Sequence, residues 1–237
     1  MIVIPDVHGR DFWLKPVEAG MGKEHILFLG DYVDPYDSEG ISDYQALRYF
    51  EFLLSLKRQN MNEMTLLLGN HDLHYVDRSL FSGRFNRENA DRYRQLIREN
   101  ADCFDMAAES TIGRKRFLFS HAGIMFGWIV YNKNILNVSK TDEICRVLNE
   151  MWHNPTLRPD LMKVLAQVSE SRWGSYPFGS PVWSDVDDMT LARPEISNYY
   201  QVFGHTQQDK PVINKFFACL DCRTAFRIDS KGVIRKI

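Results

Sequence analysis

Five short apolar runs recur along this chain, and each ends in a loop that carries Asp, Asn or His. Residues 1–5 run into Asp6-Val7-His8-Gly9, and residues 25–29 run into Gly30-Asp31. Residues 64–68 meet Gly69-Asn70-His71-Asp72, residues 116–119 meet Ser120-His121-Ala122-Gly123, and residues 200–203 meet Gly204-His205-Thr206. Runs of this length bounded by turn formers are the pattern of buried strands. Between them lie helical periods. Residues 42–57 place Tyr44, Leu47, Phe50 and Leu54 near helical spacing behind Ser42, a good N-cap. Residues 89–106 predict a long amphipathic helix with Tyr93, Leu96, Ile97 and Phe104 facing one way. Two further helices are expected over 141–151 and 159–169, joined through Pro155 and Pro159. From residue 211 to 237 the pattern alternates as strands do, with Asp229-Ser230-Lys231-Gly232 as a hairpin turn. No repeat, low-complexity tract or linker interrupts the pattern. The expectation is one α/β domain over residues 1–237, with 131–176 as a helical insertion or cap over one edge.

Composition narrows the class. Hydrophobic residues make up 44% and charged residues 25% of 237, the balance of a globular chain with a sizeable core. The 29 Lys and Arg nearly cancel the 31 Asp and Glu, for a net charge of −2. Such a chain has no global attraction for polyanions, so no stable nucleic-acid partner is expected. Four cysteines are too few for a disulfide scaffold. No leader precedes Ile2 and no apolar run approaches membrane-spanning length, so the sequence reads as cytoplasmic, without a membrane partner.

The loops carry the chemistry. Ligands of α/β sheets bind beyond the carboxyl ends of the strands, where residues from distant parts of the chain converge. Here the converging set would be Asp6, His8, Asp31, Asn70, His121 and His205, all oxygen or imidazole donors. Such donors suit divalent Mn, Fe or Zn, and no thiolate in the set favours a softer ion. Asp6 and His8, two apart in an extended loop, can turn toward one ion, and a carboxylate such as Asp31 can bridge two.

Together Asp6-Val7-His8-Gly9, Gly30-Asp31-Tyr32-Val33-Asp34, Gly69-Asn70-His71-Asp72, Ser120-His121-Ala122-Gly123 and Gly204-His205-Thr206 resemble the motif series of the calcineurin-like metallophosphoesterases. Within them the chain is similar to the serine/threonine protein phosphatase branch, through Gly-Asp-Tyr-Val-Asp, the single His of Gly-His-Thr, and Val182-Trp183-Ser184-Asp185. The likeness runs from Asp6 to Asp221. It implies a central β-sandwich of mixed sheets flanked by helices. It also implies two divalent metal ions, Mn foremost, one held by Asp6, His8 and Asp31 and the other by Asp31, Asn70, His121 and His205. The ions would activate a hydroxide to attack phosphorus in line, with His71 as general acid and Asp34 orienting it. The implied activity is hydrolysis of a phosphorylated substrate, a phosphomonoester of the protein-phosphatase kind.

One departure bears on the substrate. The branch carries Arg directly after Gly-Asp-x-x-Asp, where a forked guanidinium grips phosphate; here Pro35 stands. Arg193, Arg10 and Arg223 are the candidate replacements. The missing clamp admits a phosphoanhydride substrate such as a dinucleoside polyphosphate. A phosphodiesterase fits less well, since Gln207 stands where a second His would be expected, and a non-catalytic metal-bound scaffold has no direct support. Cys219 and Cys222 sit three apart in a strand, a poor geometry for shared ligation. His74 reads as a core or surface residue, and Asp72 as a brace of its loop. Asp37 and Asp185 are candidates to stand behind the ligands. Arg84, Arg87, Arg92, Arg94 and Arg98, interleaved with acids, read as a solvated helix face. Trp128, Trp152, Trp173 and Trp183 are expected to pack the insertion, with one of them at the mouth of the site.

Overall fold

A computed structural model describes residues 1–80, 82–191, 196 and 198–237. Its centre is a parallel run of strands: β1 (Ile2–Ile4), β2 (Ile26–Phe28), β3 (Met64–Leu67) and β4 (Phe104–Asp105) pair in that order. Parallel neighbours require crossovers. These are α1 (Leu14–Gly20) between β1 and β2, α2 (Asp43–Gln59) between β2 and β3, and α3 (Asn70–Leu73) with α4 (Ala90–Glu99) between β3 and β4.

A second sheet begins with the hairpin β5 (Ala107–Ile112) and β6 (Lys115–Ser120). The chain then leaves through the helices α5 (Phe126–Tyr131), α6 (Lys133–Leu136), α7 (Ile144–His153), α8 (Arg158–Leu165) and α9 (Val186–Leu191). It returns as β7 (Tyr199–Phe203), parallel to β6. The tail divides between the sheets. β8 (Val212–Ile213) and β9 (Phe217–Cys219) join the second, in order β5-β6-β7-β9-β8. β10 (Phe226–Ile228) and β11 (Ile234–Lys236) complete the first, in order β11-β10-β1-β2-β3-β4.

Alternation along the strands builds two apolar layers. Val3, Leu27 and Leu67 from the first sheet meet Phe117, Phe119, Val202 and Ala218 from the second in one buried cluster, the filling of a sandwich. Their neighbours Ile2, Ile4, Ile26, Phe28, Met64 and Leu66 belong to the larger cluster that also takes in the helices. The fold is therefore two mixed sheets flanked by helices. Among the described residues no helix is long and apolar enough to cross a membrane.

The local expectations fare unevenly. α2 starts where Ser42 predicts, its hydroxyl accepting from Gln45 N at 3.2 Å. Its buried stripe is Ala46, Phe50, Leu53 and Leu54, however, and Tyr44 is 72% exposed. The helix expected over 89–106 stops at Glu99. Asn100 turns its side chain back to Leu96 O at 2.8 Å, competing with the backbone, and Phe104 leaves to pair with β3. The hairpin turn forms as expected: Gly232, at φ +75°, donates to Asp229 O at 2.8 Å. In the 131–176 segment, α7 lies along the β5 edge, where Asn149 Oδ1 accepts from Met106 N and Ala107 N.

Candidate metal centre and active site

The carboxyl ends of β1, β2, β3, β6 and β7 all open on one side, and their loops hold one another by backbone bonds. Val7 N and His8 N both donate to Asp31 O, at 3.0 and 2.7 Å, and Gly204 N donates to His121 O at 2.8 Å. Asp72 ties the β2 and β3 loops together. Its carboxylate accepts from Asp31 N, Gly69 N and Tyr32 N at 2.8, 2.8 and 2.9 Å, the bracing its sequence position predicts. Two glycines let these loops close in. A Cβ on Gly69 would lie 2.1 Å from Asp31 Oδ1, and one on Gly204 would lie 2.1 Å from Asp6 Oδ1. His8, Asp31, Asp34, Arg84 and His205 hold φ between +45° and +66°, a strained region for L-residues that recurs at functional sites.

Asp31 stands at the centre of the six expected donors. Its Oδ2 lies 3.5 Å from His8 Nε2 and 3.5 Å from His121 Nε2, and its Oδ1 accepts from His71 N at 2.9 Å. His8 Nδ1 faces Val33 O and His121 Nδ1 faces Leu29 O, each at 2.9 Å. A carbonyl can only accept, so each Nδ1 carries the proton and each Nε2 turns a lone pair inward. His121 Nε2 also lies 3.0 Å from Asn70 Oδ1 and 3.1 Å from His205 Nδ1. Asp6 accepts from His205 N through both oxygens, at 3.0 and 3.1 Å.

The electrostatics ask for a cation. Burial pushes the Asp31 carboxyl up to about 8 and that of Asp6 to about 6. Burial pulls the imidazoles of His8, His121 and His205 below their ordinary range, with Arg172 adding to the effect at His205. His205 Nε2 is buried without a hydrogen-bond partner. These lone pairs fit a divalent ion that would replace lost hydration. Among the described residues the ligand atoms of His8, Asp31 and His71, and those of Asp31, His121 and His205, lie within 4.8 Å of one another, so Asp31 is common to both groups.

Beside this set stands a second cluster. His71 Nδ1 lies 2.9 Å from Asp34 Oδ2, and His74 Nε2 lies 2.8 Å from the same oxygen. Tyr75 donates its hydroxyl to Asp34 Oδ1. Burial raises the Asp34 carboxyl, but the two imidazoles outweigh it and hold the group below the usual carboxylate range. Burial lowers His71 to about 4 against the pull of Asp34.

Four of the donors, His8, Asp31, Asn70 and His205, open with His71 on a cavity of about 260 Å³ that Tyr36, Arg84, Arg172 and Trp183 also line. Arg172 is braced by Asp185, with Nε 2.7 Å from Oδ2, and donates to Thr206 Oγ1 at 3.0 Å. Of the arginines expected from the sequence, Arg10 and Arg223 do not line this cavity. Arg10 bonds Glu39 through Nε and Nη2, at 2.7 and 3.0 Å, and Arg223 Nε lies 3.2 Å from the same carboxylate. Arg193 falls outside the described residues. Arg84 departs from the run of helix-face charges: Arg92 pairs with Glu51 and Arg94 with Asp91, whereas Arg84 enters the cavity. His74 and Tyr75 were not legible as partners of Asp34, because only the turn of α3 aims them there. Trp128 and Trp152 are core, Trp183 lines the cavity, and Trp173 is 98% exposed. Asp37 is exposed. Cys219 and Cys222 are free thiols, and burial pushes both above the ordinary thiol range.

A two-sheet sandwich gathers Asp, Asn and His at its strand ends, a donor set suited to divalent metal ions. The family profile of the calcineurin-like phosphoesterases matches residues 1–209, and the chain belongs to that family. It is a metallophosphoesterase, an enzyme acting on phosphorylated substrates. Its fold is similar to that of a cold-active protein tyrosine phosphatase, at 16% identity and a TM-score of 0.56, over 99% of this chain and 77% of the other. A protein-tyrosine phosphatase of a psychrophilic Shewanella gives 14% and 0.52 over 99% and 79%. A protein serine/threonine phosphatase from Saccharomyces cerevisiae gives 13% and 0.53 over 99% and 78%. Among curated proteins none matches the chain at a significant level.

Proposed function

We propose that this enzyme hydrolyses phosphomonoesters at a two-ion centre, acting on phosphorylated protein side chains. The observation that carries the reading is Asp31, whose carboxylate lies within reach of His8, His121 and His205 and also anchors His71 N at 2.9 Å. Asp6, His8 and Asp31 would hold one ion, and Asp31, Asn70, His121 and His205 the other. Bound there, divalent ions supply Lewis acidity, lowering the pKa of water toward neutrality and offsetting phosphoryl charge. Manganese suits the oxygen and imidazole donors.

The protein supplies position and a proton. His71 is fixed through its backbone by Asp31 and through Nδ1 by Asp34, which leaves Nε2 toward the cavity as the atom to protonate the departing oxygen. An arriving phosphoryl dianion favours the imidazolium form, opposing the burial that now depresses it. Asp34 keeps its orientation through His74 and Tyr75. Asn70 contributes an oxygen without adding charge. Arg172, braced by Asp185, offers a guanidinium to the phosphoryl oxygens.

Both tyrosine and serine/threonine phosphatases share this fold, so the phosphorylated side chain is read by the cavity rim rather than by the sheets. The test is to strip the protein with chelator, reload Mn²⁺, and compare an aryl phosphate monoester with the matching diester. Monoester preference that is lost in His71→Asn supports the reading. Absence of turnover by the metal-loaded protein, or a preference for the diester, overturns it. Product analysis on phosphopeptides and on a dinucleoside polyphosphate then separates protein phosphatase from phosphoanhydride hydrolase, the reading that Pro35 favours.

A further inference from the structure

Arg84 is the cavity guanidinium that lacks an ion-pair partner among the described residues, whereas Arg10, Arg172 and Arg223 are each paired with a carboxylate. Its backbone sits at φ +61°, directly after Gly83, and the side chain turns back into the cavity. The guanidinium carbon lies 3.5 Å from the ring centroid of Tyr36. Nη2 donates to His71 Nε2 at 3.0 Å, and Nη1 is buried with no hydrogen-bond partner. A half-buried guanidinium with one nitrogen unpartnered is poorly satisfied without an anion, and a neutral imidazole is a poorer acceptor than a phosphoryl oxygen. Arg84 covers the nitrogen of His71 that would face the leaving oxygen, and it is held over Tyr36, beside Pro35, which has no donor of its own.

We propose that Arg84 is a specificity-determining residue that selects dianionic phosphomonoesters: it rests on His71 and Tyr36 in the free protein and transfers to the phosphoryl group when substrate binds, uncovering His71 Nε2. This rests on the phosphomonoesterase reading above. A monoester dianion offers three terminal oxygens and two charges to draw the guanidinium from its stack. A diester offers one charge and two terminal oxygens, so it draws Arg84 less and leaves His71 covered more of the time. The selection is therefore by charge, and it is made by a loop rather than by the metal ligands.

The experiment compares wild type, Arg84→Lys and Arg84→Ala, each Mn²⁺-loaded, on matched aryl monoester and diester, with inorganic phosphate binding measured by calorimetry. In Arg84→Ala, phosphate affinity is expected to weaken about 10–100-fold, the range for losing charge-assisted hydrogen bonds. KM for the monoester rises in parallel, kcat/KM for the diester holds or increases, and the monoester preference falls at least tenfold. Arg84→Lys keeps the charge but not the fork, and should retain part of the phosphate affinity. Equal losses on both esters, or unchanged phosphate affinity, overturn the proposal. A wild type that prefers diesters would overturn the phosphomonoesterase reading instead, and phosphate binding to the two variants would still decide the role of Arg84. If Arg84→Ala fails to fold, by circular dichroism against wild type, Arg84→Lys and Tyr36→Leu carry the same comparison; Tyr36→Leu, which removes the stacking surface, should weaken phosphate binding about 2–5-fold.

Discussion

The site has two halves built on different principles. The donor half (Asp6, His8, Asp31, Asn70, His121 and His205) hangs from the ends of paired strands, with backbone bonds from loop to loop and Asp72 tying two loops together. The rim half (Tyr36, Arg84, Arg172 and Trp183) comes from segments between the strands and α-helices, Arg172 from a short 3-10 turn. His8 and His121 are each held through Nδ1 by a backbone carbonyl, while Arg84 leans on a ring and an imidazole. Rigidity belongs where lone pairs must converge on an ion, and freedom belongs where a substrate must be admitted and recognised.

The largest effect should come from the centre of the donor half. Asp31→Asn, or chelation of the wild type, should cost about 10³-fold or more in kcat/KM. Only the chelated wild type should recover with Mn²⁺, and metal content should track the rates. A variant that kept its metals and its rate would break the comparison at its strongest point. Next comes the junction of the two halves. His71→Asn should lower kcat about 10²–10⁴-fold on alkyl monoesters and much less on aryl ones, whose leaving groups need no proton; equal losses on both would remove the general-acid role. On the rim, Asp185→Asn frees Arg172 from its brace and should raise KM about 5–10-fold with kcat nearly unchanged. Steady-state kinetics on one monoester decides it, and a kcat loss without a KM change would place Arg172 among the rigid parts. Outside both halves, Tyr44→Ser on the exposed side of α2 should change stability by less than about 0.5 kcal/mol, read by urea unfolding. A larger loss would return Tyr44 to the apolar face that helical spacing assigns it.

How far the residues speak for themselves follows the same division. The strands around Ile2, Ile26, Met64, Phe117 and Val202 and the loops that follow them were legible, because burial on both faces leaves continuous apolar runs and the donors come directly after them. The helix over 89–106 was half right: periodicity identifies the amphipathic stretch through Ile97, but the pairing of Phe104 with β3 ends it, and pairing is a long-range fact. Arg10 and Arg223 looked like phosphate clamps from their place beside motif residues, yet Glu39 takes both. Arg84 looked like one charge in a solvated run. No local signal distinguishes it, since only the backbone turn after Gly83 sends it inward.

The sequence by itself determined which loops carry the candidate donors, the strands that precede those loops and the family to which the chain belongs. The chain order of the apolar runs and their period are local properties, and a donor one to four residues past a strand stays at that strand's carboxyl end. The tertiary structure alone decided which arginines face the cavity, that His74 and Tyr75 grip Asp34, and that Arg84 lies on His71. Those contacts join loops whose ends are set by the two sheets, and the direction of a side chain on such a loop depends on what the rest of the chain has already placed around it.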